Sequence, residues 1–157
     1  MEPRMKTSAG VTLIELMVTL VVLVVLGTVA VPSYRNFIST QRIRSASYDL
    51  MSSLLFARSE AVKRNTLVNV TQGTGGWSNG WTISVGTTLL RTQNAYPSGL
   101  TIANSASLST LTYANDGRLA TAATDFTIAF TGAPSTVSPR CVSLKPGGMP
   151  ATKMGSC

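Results

Sequence analysis

The strongest pattern in the chain is a run of apolar residues close to its N-terminus. Positions 11–31 read VTLIELMVTLVVLVVLGTVAV and carry a single charged residue, Glu15. At about 1.5 Å of rise per residue the run makes a helix of roughly 31 Å, which matches the hydrocarbon thickness of a bilayer and exceeds the apolar core of a secretory signal. The pattern predicts a transmembrane helix, and the plainest interpretation is a single-span anchor.

A second helical pattern follows Pro32. Proline lacks a backbone donor, so we expect a kink or local melting of the helix at this residue. Beyond it, apolar residues recur at spacings of three and four, as on one face of a helix. They are Ile43, Ala46, Leu50, Leu54, Ala57 and Ala61. The pattern predicts a stem helix over residues 32–65 that packs one face on a domain, while basic residues on the other face are solvated or contact lipid headgroups or DNA.

After residue 65 the pattern becomes that of strands. Short β-forming runs alternate with turns rich in Gly, Asn and Ser, which predicts an antiparallel sheet with hairpins over residues 66–157. The predicted strands cover residues 67–71, 81–85, 89–92, 111–113, 126–130 and 141–144, with one short strand at 100–102 inside a loop. Trp77 and Trp81 fit a core or turn role better than a ligand-stacking surface. The fold class is α+β, with a long N-terminal helix and a β-sheet head.

The amino-acid composition excludes several classes of protein function. The 157 residues are 44% hydrophobic and 12% charged, which excludes a disordered chain and favours one modest domain. Histidine is absent, so a Ser-His-Asp triad, a Cys-His pair and an imidazole-ligated metal are excluded. Asp49 and Glu60 would lie about 16 Å apart along the stem, too far for a catalytic carboxylate pair, and we expect both to pair with nearby Arg or Lys. The sequence therefore predicts no enzyme, metal or cofactor.

The charge balance favours anionic surroundings. Thirteen Lys and Arg against six Asp and Glu give a net charge of +7, which suits membrane headgroups or nucleic acid. Charge does not fix the membrane orientation, because Arg4 and Lys6 precede the apolar run while Arg35, Arg42 and Arg44 follow it closely. Another feature must supply the orientation.

Two cysteines, Cys141 and Cys157, lie near the C-terminus with fifteen residues between them. A disulfide that closes a loop of this size stabilises a fold by on the order of 3 kcal/mol in the loop-entropy model, and it would hold the chain end in place. Two free thiols are the alternative. We expect the disulfide, and its oxidation implies that the head lies outside the cytoplasm.

Glu15 is the unusual residue of the apolar run. A carboxylate in a membrane costs on the order of a few kcal/mol unless it is paired or protonated, and the run contains no basic residue. A cut between Gly10 and Val11 would create an α-amino group at the start of the helix. That amine is a natural partner for Glu15 of a neighbouring copy, so the pairing would favour assembly over monomeric insertion.

The N-terminal region resembles a type IV prepilin. A short basic leader ends at Gly10, the sequence VTLIEL begins at Val11, and Pro32 closes the apolar helix. The resemblance implies that a prepilin peptidase cuts after Gly10 and methylates the new N-terminus at Val11, and that Glu15 guides assembly. Val11 departs from the usual Phe at the first mature position, and we still expect cleavage because the glycine and the glutamate are the stronger determinants.

The order of a long helix and an all-β head is similar to the GspH/FimT family of minor pilins and pseudopilins. Gly80 and Trp81 at the start of a strand, and residues 116–118 at a turn, add to the resemblance. It implies a type IV pilin-like fold and a structural role.

The C-terminal tail is the candidate for contact with DNA. Arg140, Lys145 and Lys153 place positive charge on a loop without acids. Members of the FimT type bind DNA and carry a Gly-Arg-x-Arg motif here, whereas this chain has Gly-Gly-Met-Pro at residues 147–150. Because Gly and Pro cannot replace bidentate arginine contacts to phosphate, the tail fits FimU-like tip pilins better.

The resemblance implies a minor type IV pilin that prepilin peptidase processes and that helps initiate pilus assembly in a tip or priming complex. Its partners would be other minor and major pilins and the inner-membrane assembly machinery. Two alternatives stay open: a DNA-binding minor pilin that takes up double-stranded DNA in natural transformation, and a minor pseudopilin of type II secretion. We expect a single-pass protein of the Gram-negative inner membrane with a periplasmic head, and then the pilus fibre, at its tip. Residues 1–10 would be the cleaved leader, 11–31 the filament-core helix, 32–65 the stem and 66–157 the head.

Overall fold

The computed structural model describes residues 10–134 and 136–157, without the side chains of Val29 and Pro32. The predicted leader ahead of Gly10 therefore lies outside the described residues. The chain divides into two compact units, Met1–Arg35 and Asn36–Cys157. We call the second one the head unit.

One helix, α1 (Leu13–Arg64, 52 residues), contains both predicted helical segments. It continues through Pro32 without a break, so the local melting that the proline suggested does not occur. A proline removes one hydrogen bond of the helix, and regular helix on both sides tolerates that loss, as it does in membrane helices.

The head unit, within the part of it that is described, contains eight strands in two antiparallel four-stranded sheets. The strands are β1 (Val68–Gln72), β2 (Trp81–Val85), β3 (Thr88–Gln93), β4 (Leu100–Asn104), β5 (Thr110–Tyr113), β6 (Thr124–Phe130), β7 (Arg140–Leu144) and β8 (Pro150–Met154). The first sheet has the order β3-β2-β1-β5 and the second has the order β4-β6-β7-β8. The fold class is confirmed, while the single sheet that we expected is in fact two.

Most predicted strands are confirmed, with shifts of one or two residues at their ends. The predicted strand at 81–85 has the same bounds as β2. The tail was wrongly expected to be a loop, because residues 150–154 form β8 and pair with β7, with Leu144 opposite Pro150 and Cys141 opposite Lys153. The run PATKM lacks the branched and aromatic residues that mark strands, so its partner β7 determines its conformation.

The core lies between the stem part of α1 and the two sheets. The predicted stripe is confirmed: Ile43, Ala46, Leu50, Leu54, Ala57 and Ala61 are each at most 1% exposed. Each leucine buried in this way stabilises the head by about 2 kcal/mol. Trp77 and Trp81 are buried as well, and the Trp77 indole Nε1 donates a hydrogen bond to the Leu108 carbonyl at 2.9 Å. Both tryptophans are therefore core residues.

The two stem carboxylates behave differently from each other. Glu60 accepts a hydrogen bond from Arg64 and lies 3.9 Å from the Lys63 ammonium, as expected. The hydrogen bond from Arg64 is the main reason that the pKa of Glu60 lies below its ordinary value. The expectation for Asp49 was wrong: its Oδ2 accepts a hydrogen bond from the Tyr96 hydroxyl at 3.0 Å, and this neighbour 47 residues away could not be inferred from helical spacing.

Candidate functional site

The predicted assembly residue, Glu15, lies in the first turn of α1. The Glu15 amide donates a hydrogen bond to the Thr12 hydroxyl at 3.3 Å, so Thr12 caps the helix and Glu15 is its third residue. The side chain of Glu15 is exposed, and within residues 10–134 and 136–157 it forms no ion pair. This cap was not predicted, although Thr12 and Glu15 stand in the T-x-x-E spacing of a capping box.

The apolar run presents its side chains to the surroundings. Leu13 is 79% exposed and Leu26 is 61% exposed. The described residues contain one helix, α1, that is long and apolar enough to cross a membrane, and none of its most apolar window is buried. Soluble proteins rarely expose apolar patches of this extent, so lipid or other protein chains must cover the run.

A disulfide joins Cys141 and Cys157, with the two Cα atoms 5.0 Å apart. Cys141 is buried in β7, whereas Cys157 is the exposed last residue of the chain. The Cys157 amide also donates a hydrogen bond to the Thr127 hydroxyl of β6 at 3.3 Å. The end of the chain is therefore held against the second sheet, which limits fraying beyond β8.

The turn between β7 and β8 packs against a second turn of the head. The Gly148 carbonyl accepts a hydrogen bond from the Tyr113 hydroxyl at 3.1 Å, and burial keeps the pKa of Tyr113 above its usual value, so the hydroxyl stays a donor. Arg58 of the stem donates through Nε to the Gly117 carbonyl at 2.9 Å and through a second guanidinium nitrogen to the Met149 sulfur at 3.5 Å. The stem and the two turns form one contact region.

The three candidate DNA contacts are not brought together. Arg140 lies on the face of β7 toward the stem, with its guanidinium carbon 5.7 Å from the centre of the Tyr48 ring. Lys153 pairs with Cys141, and successive strand residues point to opposite faces, so Lys153 lies on the other face. Lys145 follows the far end of β7, five residues from Arg140, which corresponds to about 16 Å of strand. The residues at 147–150 add no cation, and Gly148 and Pro150 there are buried.

Two family models match the chain. The prokaryotic N-terminal methylation motif matches residues 5–31, which together with the long helix and the β head defines a pilin-type protein. The model of type II transport protein GspH matches residues 46–148. The chain belongs to this family of minor pilins and pseudopilins, whose members are structural proteins and not enzymes.

Solved structures share the fold. The type IV minor pilin FimU of Pseudomonas aeruginosa aligns with a TM-score of 0.64 and 24% identity over 75% of this chain and 91% of that one. A second crystal form of FimU gives 0.60 and 25% identity over 71% and 90%. The minor pseudopilin EpsH from the Type 2 Secretion System of Vibrio cholerae gives 0.54 and 12% identity over 73% and 97%. Among curated proteins, none matches this sequence significantly.

Proposed function

We propose that this chain is a minor type IV pilin that prepilin peptidase processes and that helps initiate pilus assembly in a tip or priming complex. The observation that carries the proposal is Glu15, an exposed carboxylate in the first turn of an exposed apolar helix. A carboxylate in that position needs a counter-charge to be stable away from water. The α-amino group of a neighbouring copy, processed at Val11, supplies that charge in the assembled filament.

The N-terminal motif supports the processing that we propose, and the C-terminal disulfide supports the location. The cut falls between Gly10 and Val11, with N-methylation at Val11, and the match to the methylation motif over residues 5–31 supports both steps. The partners are other minor and major pilins and the inner-membrane assembly machinery. The disulfide supports a periplasmic head, because disulfides persist in oxidising compartments. The protein thus passes from the inner membrane of a Gram-negative bacterium to the pilus, at its tip.

The Glu15→Ala variant tests the assembly role. Loss of the carboxylate should leave cleavage after Gly10 largely intact, because the variant keeps Gly10, the determinant at the scissile bond itself. Incorporation into sheared pili should fall at least about tenfold, as expected for the loss of one charge pair away from water. Intact mass measures cleavage, and quantitative immunoblotting of sheared pili measures incorporation. Thr19→Ala is the matched control, because it removes another exposed polar side chain of the same run. Normal incorporation of Glu15→Ala would refute the proposal.

A second candidate is a minor pseudopilin of type II secretion. The GspH family model and the fold of EpsH favour it. The two candidates differ in which neighbours contact the head, so a photo-crosslinker at exposed Leu89 of β3 discriminates them. Crosslinks to pilins support the proposal, and crosslinks to pseudopilins support the second candidate.

A third candidate is a DNA-binding pilin for natural transformation. Basic residues outnumber acidic ones in the head, which favours binding to phosphate, whereas the separation of Arg140, Lys145 and Lys153 opposes a single contact surface. The test is the affinity of the full chain for duplex DNA at two salt concentrations. Tight, salt-dependent binding that the triple alanine variant loses would establish this candidate, and weak binding unchanged by the substitutions would remove it.

A further inference from the structure

An open groove of about 630 Å³ is formed on the head unit by the last turns of α1 and by two turns of the head. Three apolar residues line it, Leu55 and Val62 from α1 and Met149 from the turn between β7 and β8. Val62 is 53% exposed and Met149 is 57% exposed. Single apolar residues at a surface are ordinary, but three in one concave surface are typical of a site where another molecule packs.

Arg58 also lines the groove, and its contacts hold it in a fixed position. Its Nε donates a hydrogen bond to the Gly117 carbonyl at 2.9 Å, and a second guanidinium nitrogen donates to the Met149 sulfur at 3.5 Å. A guanidinium has five N–H donors, so three of them have no partner among the described residues. A cation that is already fixed loses less conformational entropy when it binds a carboxylate than a free surface side chain does.

The groove carries more positive than negative charge. Lys63 lines it as well, and its ammonium lies 3.9 Å from Glu60, a carboxylate that already accepts a hydrogen bond from Arg64. Asp116 is the acid among the lining residues, and it accepts a hydrogen bond from the Arg118 amide at 2.9 Å. In the part of the chain that the structure describes, Asp116 forms no ion pair with either cation of the groove. The groove therefore matches an apolar segment that carries a carboxylate.

The head of a second copy of this chain does not supply such a segment. The head unit has ten Lys and Arg against four Asp and Glu, so two heads repel each other. Of these four acids Glu60 is buried, Asp49 and Asp125 are partly buried, and only Asp116 is exposed. Because Asp116 belongs to the groove itself, a partner with a free carboxylate is a different protein.

We propose that this groove binds an apolar segment with at least one carboxylate, presented by the head of a different subunit of the same filament. The inference rests on the assembly that we propose for this chain. Apolar side chains of the segment pack on Leu55, Val62 and Met149, while its carboxylate accepts hydrogen bonds from Arg58. Lys63 attracts the same carboxylate as a point charge. The charge balance makes the chain select an unlike neighbour over another copy of itself.

A photo-crosslinker at Val62 of the full chain, in cells that assemble the filament, tests the proposal. The crosslink should join a different pilin or pseudopilin, and mass spectrometry should locate Asp or Glu within about four residues of the crosslinked position, one turn of a helix. Lys63→Glu should reduce the yield at least about threefold, because a surface attraction becomes a repulsion. Changing the located acid to lysine should then restore the yield. Arg42→Glu, the same change at an exposed position of α1 outside the groove, should leave the yield unchanged.

A crosslink from Val62 to a second copy, or to no subunit of the filament, would overturn the proposal, as would a yield that Lys63→Glu does not alter. Tryptophan fluorescence in urea shows whether Lys63→Glu is folded, and Lys63→Gln replaces it if it is not. Met149 provides a second crosslinker position if the substitution at Val62 itself blocks binding.

The groove and the assembly role can fail separately. Immunoblotting of sheared pili measures incorporation of the unsubstituted chain. If that chain enters pili and neither Val62 nor Met149 gives a crosslink, only the groove is refuted. A crosslink to an acidic segment of a pseudopilin would support the groove and refute the proposed pilus function.

Discussion

Replacing Gly148 with alanine should loosen the turn between β7 and β8. Gly148 has a φ of +76°, and a Cβ at this position would lie 2.1 Å from the Gly117 carbonyl oxygen and 3.0 Å from the Tyr113 ring. The left-handed conformation costs alanine about 1–2 kcal/mol. The shift that relieves the close contacts also breaks the hydrogen bond from Tyr113, which is worth about 1 kcal/mol. The expected loss of head stability is therefore about 2–3 kcal/mol.

The neighbouring residue provides a matched control. At Gly147 an added Cβ would meet no atom within 4 Å, and its φ lies outside the left-handed region. Gly147→Ala should change the stability by no more than about 0.5 kcal/mol, the range of ordinary surface substitutions. The two variants thus make the same chemical change one residue apart in the same turn.

Urea unfolding of the full chain in detergent measures the difference. The chain has two tryptophans, and both are buried in the head core, so their fluorescence follows the head alone. With an m-value of about 1.5 kcal/mol/M, the urea midpoint of Gly148→Ala should fall by about 1.3–2 M. Equal midpoints for Gly147→Ala and Gly148→Ala would refute the inference that the two turns are locked together.

Three further predictions concern the rest of the head. Reduction of the Cys141–Cys157 disulfide should add two hydrogens to the intact mass and cost about 3 kcal/mol of stability, and an unchanged mass would show that no disulfide is present. The pKa of Glu60 is lowered, so the stabilisation by its carboxylate is present above the ordinary glutamate pKa and is lost as pH falls through the lowered one. The Glu60→Gln variant should therefore lose less stability than the wild-type chain when the pH is lowered from neutral, as urea unfolding at several pH values would measure. A double-mutant cycle of Tyr96→Phe and Asp49→Asn should give a coupling energy of about 1.5 kcal/mol, and additive effects would exclude the hydrogen bond between them.

Helix faces and strand positions could be predicted because they depend on local periodicity. The stripe from Ile43 to Ala61 follows the period of a helix and is buried throughout. The strand β2 was predicted with its observed bounds, because branched and aromatic residues alternate there between turns. Burial of one face of each element determines these features, and a single sequence carries that information.

Periodicity does not predict which strands pair with each other when they lie far apart in the sequence. The strand β8 contains proline, alanine and lysine, and it forms because β7 offers a free edge for hydrogen bonding. The division into two sheets likewise depends on which edges meet, as when β1 pairs with β5 across more than 30 residues of chain. Turn signals show where strands end but not which strands become neighbours.

In the candidate site, too, features that depend on neighbouring residues could be predicted from the sequence, whereas contacts between distant residues could not. Glu15 could be identified because a single charge in an apolar run is unusual whatever surrounds it. The contact between Arg140 and the Tyr48 ring could not be predicted, because the two residues lie 92 positions apart and each looks like an ordinary surface residue in the sequence. The separation of the three candidate DNA contacts could not be predicted either, because residues close together in the tail sequence occupy different faces of the folded hairpin.

The exposed apolar run explains why the assembly role that we propose depends on a polar residue. If lipid covers the apolar run in the membrane and other helices cover it in a filament, the apolar contacts contribute little to the choice between the two states. In the function that we propose, an unpaired Glu15 makes the membrane state less favourable, and its pairing with an amine favours the assembled state. Glu15→Ala should therefore abolish the preference for assembly without changing the urea midpoint of the head. Gly148→Ala should lower that midpoint while leaving membrane insertion unchanged, so the two variants separate the function of the run from the stability of the head.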